Sequence, residues 1–371
     1  MRVKNSLITI FISFISQLAT IFILITIINT TCFGYWIDLQ SKIKLSEKVL
    51  LQLPISFCVT EDDLFMVVDF KSADVKIYNS NGILEKVLGR KGAGPNEFIQ
   101  PLFCYYGNRK FILPDVGQSK ILFYDRINKF IFKRTKEILC TYSSEDLQLK
   151  GNNLYVSGNK ISKNGRCYSF FAVNLEKNDS FIYILPAYMK FGLASDNEYK
   201  TELFKKPDIT TIGVRGMFDI HGNYAYYIWE GDLKIFRINL KTKKISTFGK
   251  KMPHYIKPYT TKKLTNAFFS RQGSYVQKER NKMSYLKQIF TTEKHVILIY
   301  TCPEKNKEES RYMVQLYKMD GNFVEELKLP GKASSTMWFD KNKNLMYAIT
   351  FETDFELNEY HYILKYKINE N

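Results

Sequence analysis

A strand–turn–strand pattern that returns about every 40–45 residues in the early units and at longer spacing later, an aromatic content of 15% and period-two apolar alternation from about Val49 onward predict an all-β fold. The predicted architecture is a six-bladed β-propeller of four-stranded antiparallel blades. The pattern is clearest at Leu64–Gly89, LFMVVDFKSADVKIYNSNGILEKVLG. An apolar strand ends at Asp69, a polar turn leads to a strand closing on Tyr78, and the Asn81-Gly82 turn opens a third. Lys110–Lys133 repeats this layout, with Asp115 where Asp69 stood. Such a unit cannot bury its apolar faces alone, so copies must stack.

The blades are counted from short polar hairpins, each followed by an apolar strand. These hairpins are Glu61–Asp63, Gly107–Arg109, Gly151–Asn153, Gly222-Asn223, Thr292–Lys294 and Lys341–Asn344. The last unit supplies only three strands before the chain ends. An orphan strand at about Glu47–Leu53 is therefore expected to pair beside Tyr362–Ile368 and close the ring. The predicted organisation is an N-terminal signal or anchor segment over 1–32, a linker over 33–45 and the propeller over 46–371.

The N-terminal segment carries positive charge at Met1–Asn5, then a long apolar run, Leu7–Ile28. Its length suits a membrane anchor and its position an export signal. Either places the propeller outside the cytoplasm, tethered to the membrane if the segment is retained. Cys32 follows the run as a candidate lipidation site. The formal net charge is +17, but the lysines are scattered over turns and strand edges. Without a basic stripe this weighs against a nucleic-acid partner. The six cysteines show no paired spacing. Cys58 and Cys104 fall at equivalent places in consecutive units and read as buried thiols rather than a disulfide.

Two stretches exceed the repeat, 186–217 and 251–288. The second contains SYVQKERNKMSYLKQIF, whose charge pattern and lack of Gly or Pro suit a helical turn or two.

The sharpest motif is GRKGAGPNEF, Gly89–Phe98. Its glycines permit positive φ and close backbone approach. It reads as a rigid crossover between blades, or as an anion-binding nest to which Arg90 and Lys91 add charge. Through Gly89, Lys91, Gly92, Gly94, Pro95, Glu97 and Phe98 the loop resembles one found in bacterial six-bladed propellers of the Bacteroidetes type, related to NHL-repeat propellers. The layout around Asp69 and Ile77-Tyr78 is similar to an NHL strand pair. The resemblance implies the fold and an exported or lipid-anchored location; it implies no common activity.

Asp69, Asp115 and Glu230 recur just past the second strand of three units. As a ring about the axis they would hold Ca²⁺; as turn residues they would cap backbone. Trp229 is a candidate for stacking on a sugar or peptide, against the alternative of inter-blade core. The four histidines are far apart and no catalytic or metal-ligand spacing occurs. The leading functional expectation is thus a non-catalytic binding module for a peptide, glycan or protein partner. The alternatives are a propeller-type hydrolase or lactonase using a channel metal on Asp69, Asp115 and Glu230, and a structural subunit of an envelope assembly.

Overall fold

The computed structural model describes residues 37–46, 50–129, 131–139, 143–161, 167–177, 180–186, 216–229, 233–258, 270, 272–303, 312–331, 336–354, 356 and 358–369. The fold is a ring of six four-stranded antiparallel sheets, as the repeat predicts. After β1 (Ile37–Lys44), the first blade is β2 (Pro54–Val59), β3 (Phe65–Asp69), β4 (Asp74–Tyr78) and β5 (Leu84–Leu88). The second blade is β6 (Tyr105–Gly107), β7 (Lys110–Asp115), β8 (Lys120–Arg126) and β9 (Phe132–Leu139). The third is β10 (Ser143–Lys150), β11 (Asn153–Ile161), β12 (Cys167–Asn174) and β13 (Ser180–Pro186). The fourth is β14 (Gly216–His221), β15 (Tyr224–Trp229), β16 (Ile235–Asn239) and β17 (Ile245–Phe248). The fifth is β18 (Leu286–Thr291), β19 (His295–Thr301), β20 (Tyr312–Lys318) and β21 (Phe323–Lys328). The sixth combines β22 (Met337–Asp340), β23 (Leu345–Thr353) and β24 (Glu359–Ile368) with β1.

Strand periodicity explains how the ring holds together. Successive side chains on a strand leave opposite faces, and in a propeller both faces of a blade meet neighbours. On β3, Met66 and Val68 join the apolar cluster shared with Phe111 and Tyr124 of the second blade. Phe65 and Val67 turn the other way, to Tyr347, Ile349 and Ile363 of the sixth. Comparable clusters join the second blade to the third, the third to the fourth, the fourth to the fifth and the fifth to the sixth. Burying one such side chain contributes about 1.5–3 kcal/mol, and each blade alone would expose both faces.

The closing strand differs from the expectation. Ile37–Lys44, not Glu47–Leu53, pairs antiparallel with Tyr362–Ile368, from Ile37 opposite Ile368 to Lys44 opposite Tyr362. The propeller thus begins by residue 37, within the stretch read as linker. Leu50–Leu53 is irregular connecting chain, and residues 47–49 lie outside the described set. The reason is that β1 is an edge strand: only Ile37 is buried in the sequence IDLQSKIK, the other residues being partly or fully exposed, and a register shift falls between Leu39 and Ser41. Polar residues suit an edge that must not invite further pairing. The denser apolar run SEKVLLQLP misleads because Leu51 is buried in the cluster between the first and sixth blades without joining a sheet.

The 251–288 insertion holds α1 (Gly273–Arg280), which agrees with the helical turn expected there. His254 fastens the same insertion to the fifth blade. Its Nε2 lies 3.0 Å from Glu326 Oε1 and 2.7 Å from Tyr300 Oη, and its ring stacks on Tyr300. Most of the 186–217 insertion, and the segment 1–32 with Cys32, lie outside the described residues. Among the described residues no helix is long and apolar enough to cross a membrane.

Candidate functional site

The first strand of each blade lines the axis, and all six run toward the same face, where they turn into the hairpins that mark the repeat. At that face the six strand ends enclose a cavity of about 340 Å³, with both polar and aromatic walls. Its carboxylates are Glu61, Asp146, Asp219 and Asp340; its ammonium groups are Lys341 and Lys343. In a chain of net charge +17 the funnel lining holds more carboxylates than amines, with Asp219 paired to Lys341 and Glu61 paired to Arg126 behind the wall.

The funnel is internally braced. Asp219 on β14 accepts from the Thr291 N–H and Oγ1 at 2.6 Å each, and from Gln148 Nε2 at 3.2 Å. Lys341 from the sixth blade lies 2.6 Å from Asp219 Oδ1 and also donates to the Ile220 carbonyl and Thr291 Oγ1. The third, fifth and sixth blades are thereby tied to one buried carboxylate of the fourth. Asp146 Oδ2 accepts from the Phe218 N–H, and Gln148 Oε1 from that of Ile220, which joins β10 to β14. Asp340 caps its own hairpin through the Asn342 and Lys343 amides. Lys343 reaches back to the first blade, to Asp63 and the Glu61 carbonyl.

Tyr105 and Trp338 meet edge-to-face on the wall with ring centroids 6.0 Å apart. Burial, and then the negative charge of Asp219, hold the Tyr105 hydroxyl in its neutral form by raising its pKa. It donates to the Leu149 carbonyl at 3.4 Å and is not a base. Gln288 adds an amide to the lining. The site can hold a compact group against aromatic faces and offer it carboxylate and amide partners.

The sequence-predicted carboxylates stand elsewhere. Asp69 pairs with Pro54 at the start of β2, the end of the blade opposite the funnel. Its oxygens accept the Gln52, Leu53 and Lys71 amides and the Lys76 ammonium. Asp115 accepts the Ile99, Gln100 and Gln118 amides. Each carboxylate staples the segment that enters its innermost strand, the capping role, and the two serve different segments. Glu230 lies outside the described residues. Among the described residues no group of three His, Cys, Asp or Glu side chains is arranged to hold a metal ion. Trp229 is a correction of another kind: it is buried against Tyr227 and Phe236 in the core between the third and fourth blades.

The Gly89–Phe98 loop supplies its own anion. Glu97 Oε2 accepts the Gly94 N–H at 2.8 Å while Arg90 grips Oε1, so the nest is filled from within. Lys91 forms a bridge to Phe98, whose buried ring lies where a Cβ on Gly89 would sit. Gln118 donates to the Glu97 carbonyl and locks the loop to the second blade. The loop is a crossover brace, and Arg90 and Lys91 do not meet the funnel lining.

Asp146, Asp219 and Asp340 were not singled out by the repeat, because the innermost strands are its least marked part. The available signal was a carboxylate within five residues of the hairpin in the third, fourth and sixth blades.

No protein-family model matches the sequence, and no curated protein matches it. Among solved structures, the chain is similar to a Bacteroides fragilis protein provisionally described as exported, with a TM-score of 0.57 and 15% identity over 90% of this chain and 96% of that one. It is also similar to a member of the DUF4221 family from Bacteroides vulgatus, with a TM-score of 0.59 and 12% identity over 90% and 98% of the two chains. At such identity the likeness speaks to fold alone. Fold and site together define a six-bladed propeller with an acidic, aromatic-walled funnel at the hairpin face.

Proposed function

We propose that this chain is an extracytoplasmic binding propeller, tethered through its N-terminal segment, whose funnel takes a cationic group such as a basic peptide side chain. One observation carries the ligand class: four carboxylates and two amines meet beside Tyr105 and Trp338 in a chain of net charge +17. Cations favour aromatic faces by about 0.5–2 kcal/mol, and nearby carboxylates add to that attraction. A neutral glycan would use the rings but not the charge. The apolar run Leu7–Ile28 behind positive Met1–Asn5 supports export and tethering, and the NHL-like strand layout supports kinship with exported propellers of the Bacteroidetes type.

Calorimetric titration of the detergent-solubilised full chain with lysine- and arginine-containing peptides, acidic peptides and neutral oligosaccharides tests the reading. Binding confined to the basic peptides, weakened by salt, is expected. Preference for neutral oligosaccharides would overturn it.

A further inference from the structure

The first two blades meet along their innermost strands, and two cysteines stand at that seam. Ser56 and Cys58 are two residues apart on β2, so their side chains leave the same face. Cys104, just before β6, donates its N–H to Ser56 Oγ at 3.1 Å, and its Sγ lies 3.5 Å from the same oxygen. Both cysteines belong to the apolar cluster between these blades, Cys58 wholly buried and Cys104 nearly so. Both are thiols in this structure. Cys104 thus packs on Ser56, whose neighbour on the same strand face is Cys58, within one apolar cluster; burial and then the Cys104 side chain raise the Cys58 pKa.

We propose that Cys58 and Cys104 form a disulfide under oxidising conditions, pinning the first blade to the second directly behind the funnel wall. Cys58 precedes Val59 and Cys104 precedes Tyr105, and both of these neighbours line the funnel. The bond would fix Tyr105 relative to the first blade. Its occupancy in the cell rests on the export proposed above; its formation in solution does not.

The oxidant is a small-molecule or protein disulfide. The Cys104 thiol, the less buried of the two, loses a proton and attacks it, giving a mixed disulfide and releasing one thiol. The Cys58 thiolate then attacks the Cys104 sulfur and expels the second thiol. The protein loses two protons and two electrons, and the oxidant disulfide is reduced to two thiols. Because folded burial makes both groups inert, the bond forms while the blade seam is still open.

The test refolds the full chain from guanidinium in glutathione disulfide and glutathione, alkylates remaining thiols, and maps peptides without reduction. The expected product is a linked pair of peptides containing Cys58 and Cys104, with a melting temperature several degrees above that of protein refolded in reductant. Cys104→Ser should abolish both the link and the difference, while Cys302→Ser should leave both. Recovery of Cys58 and Cys104 alkylated, or linked to other cysteines, would overturn the proposal. If Cys104→Ser fails to fold, the wild-type peptide map decides alone.

Discussion

Lys341 in the hairpin of the sixth blade places its Nζ 2.6 Å from Oδ1 of Asp219 in the fourth, reaching across the fifth blade to do so. Asp219 is almost wholly buried, while Lys341 is about one-third exposed. Removing one member of a buried pair costs about 3–5 kcal/mol, and the exposure of Lys341 brings this to about 2–3 kcal/mol. Lys341→Met should lower stability by that amount in urea denaturation. A loss below about 0.5 kcal/mol would show that Thr291 and Gln148 suffice.

The Gly-rich loop predicts a graded glycine series. A Cβ on Gly89 would lie 2.2 Å from the Phe98 ring, and one on Gly92 would lie 2.1 Å from Glu97 Oε2. Gly151, also at positive φ, would meet nothing within 4 Å. Gly151→Ala should cost about 1 kcal/mol for the backbone alone. Gly89→Ala should cost about 2–4 kcal/mol because buried Phe98 must move. Gly92→Ala should fall between, since the Glu97 side chain can swing away. Chemical denaturation of the three variants gives the order.

Asp115→Ala should cost about 1–3 kcal/mol by leaving the Ile99 and Gln100 amides without their acceptor. Added Ca²⁺ should leave the melting temperature of wild-type protein unchanged. A calcium-dependent rise that Asp115→Ala removes would restore the channel-metal reading.

Stability should fall in acid with a defined sign. Burial pushes the Asp62 carboxyl up, but hydrogen bonds from Arg126 and Thr60 outweigh it and bring its pKa down to about 2. Asp69 moves down too: burial opposes, while the Gln52 amide and Lys76 prevail. A carboxylate whose folded pKa is depressed contributes fully above its unfolded pKa of about 3.9 and loses that contribution as pH falls through the folded value. The denaturation midpoint should therefore drop between about pH 4 and pH 2. Arg126→Met should flatten that slope.

Blade number and hairpin positions were readable because second and third strands are buried on both faces and alternate with polar turns; β3 and β4 are examples. Edge strand β1 was not, since half burial dilutes its apolar signal below that of SEKVLLQLP. The recurrence of Asp69 and Asp115 was visible, but its meaning was not. The same residue type at the same repeat position can face the axis or cap a chain, and only the Gln52 and Ile99 amides distinguish the two. The funnel drew on Asp146, Asp219 and Asp340 at unequal distances before their hairpins, so no repeat aligned them. Trp229 shows the reverse case, an aromatic at strand spacing that the stacking of blades consumes as core.

The most direct test of the funnel as the binding site is the calorimetric affinity of a basic peptide for wild type and for Asp146→Asn, with Trp338→Ala alongside. Asp146→Asn should weaken binding about tenfold and shrink its salt dependence, and Trp338→Ala should cost about 1 kcal/mol. Unchanged affinity in both folded variants would contradict the account.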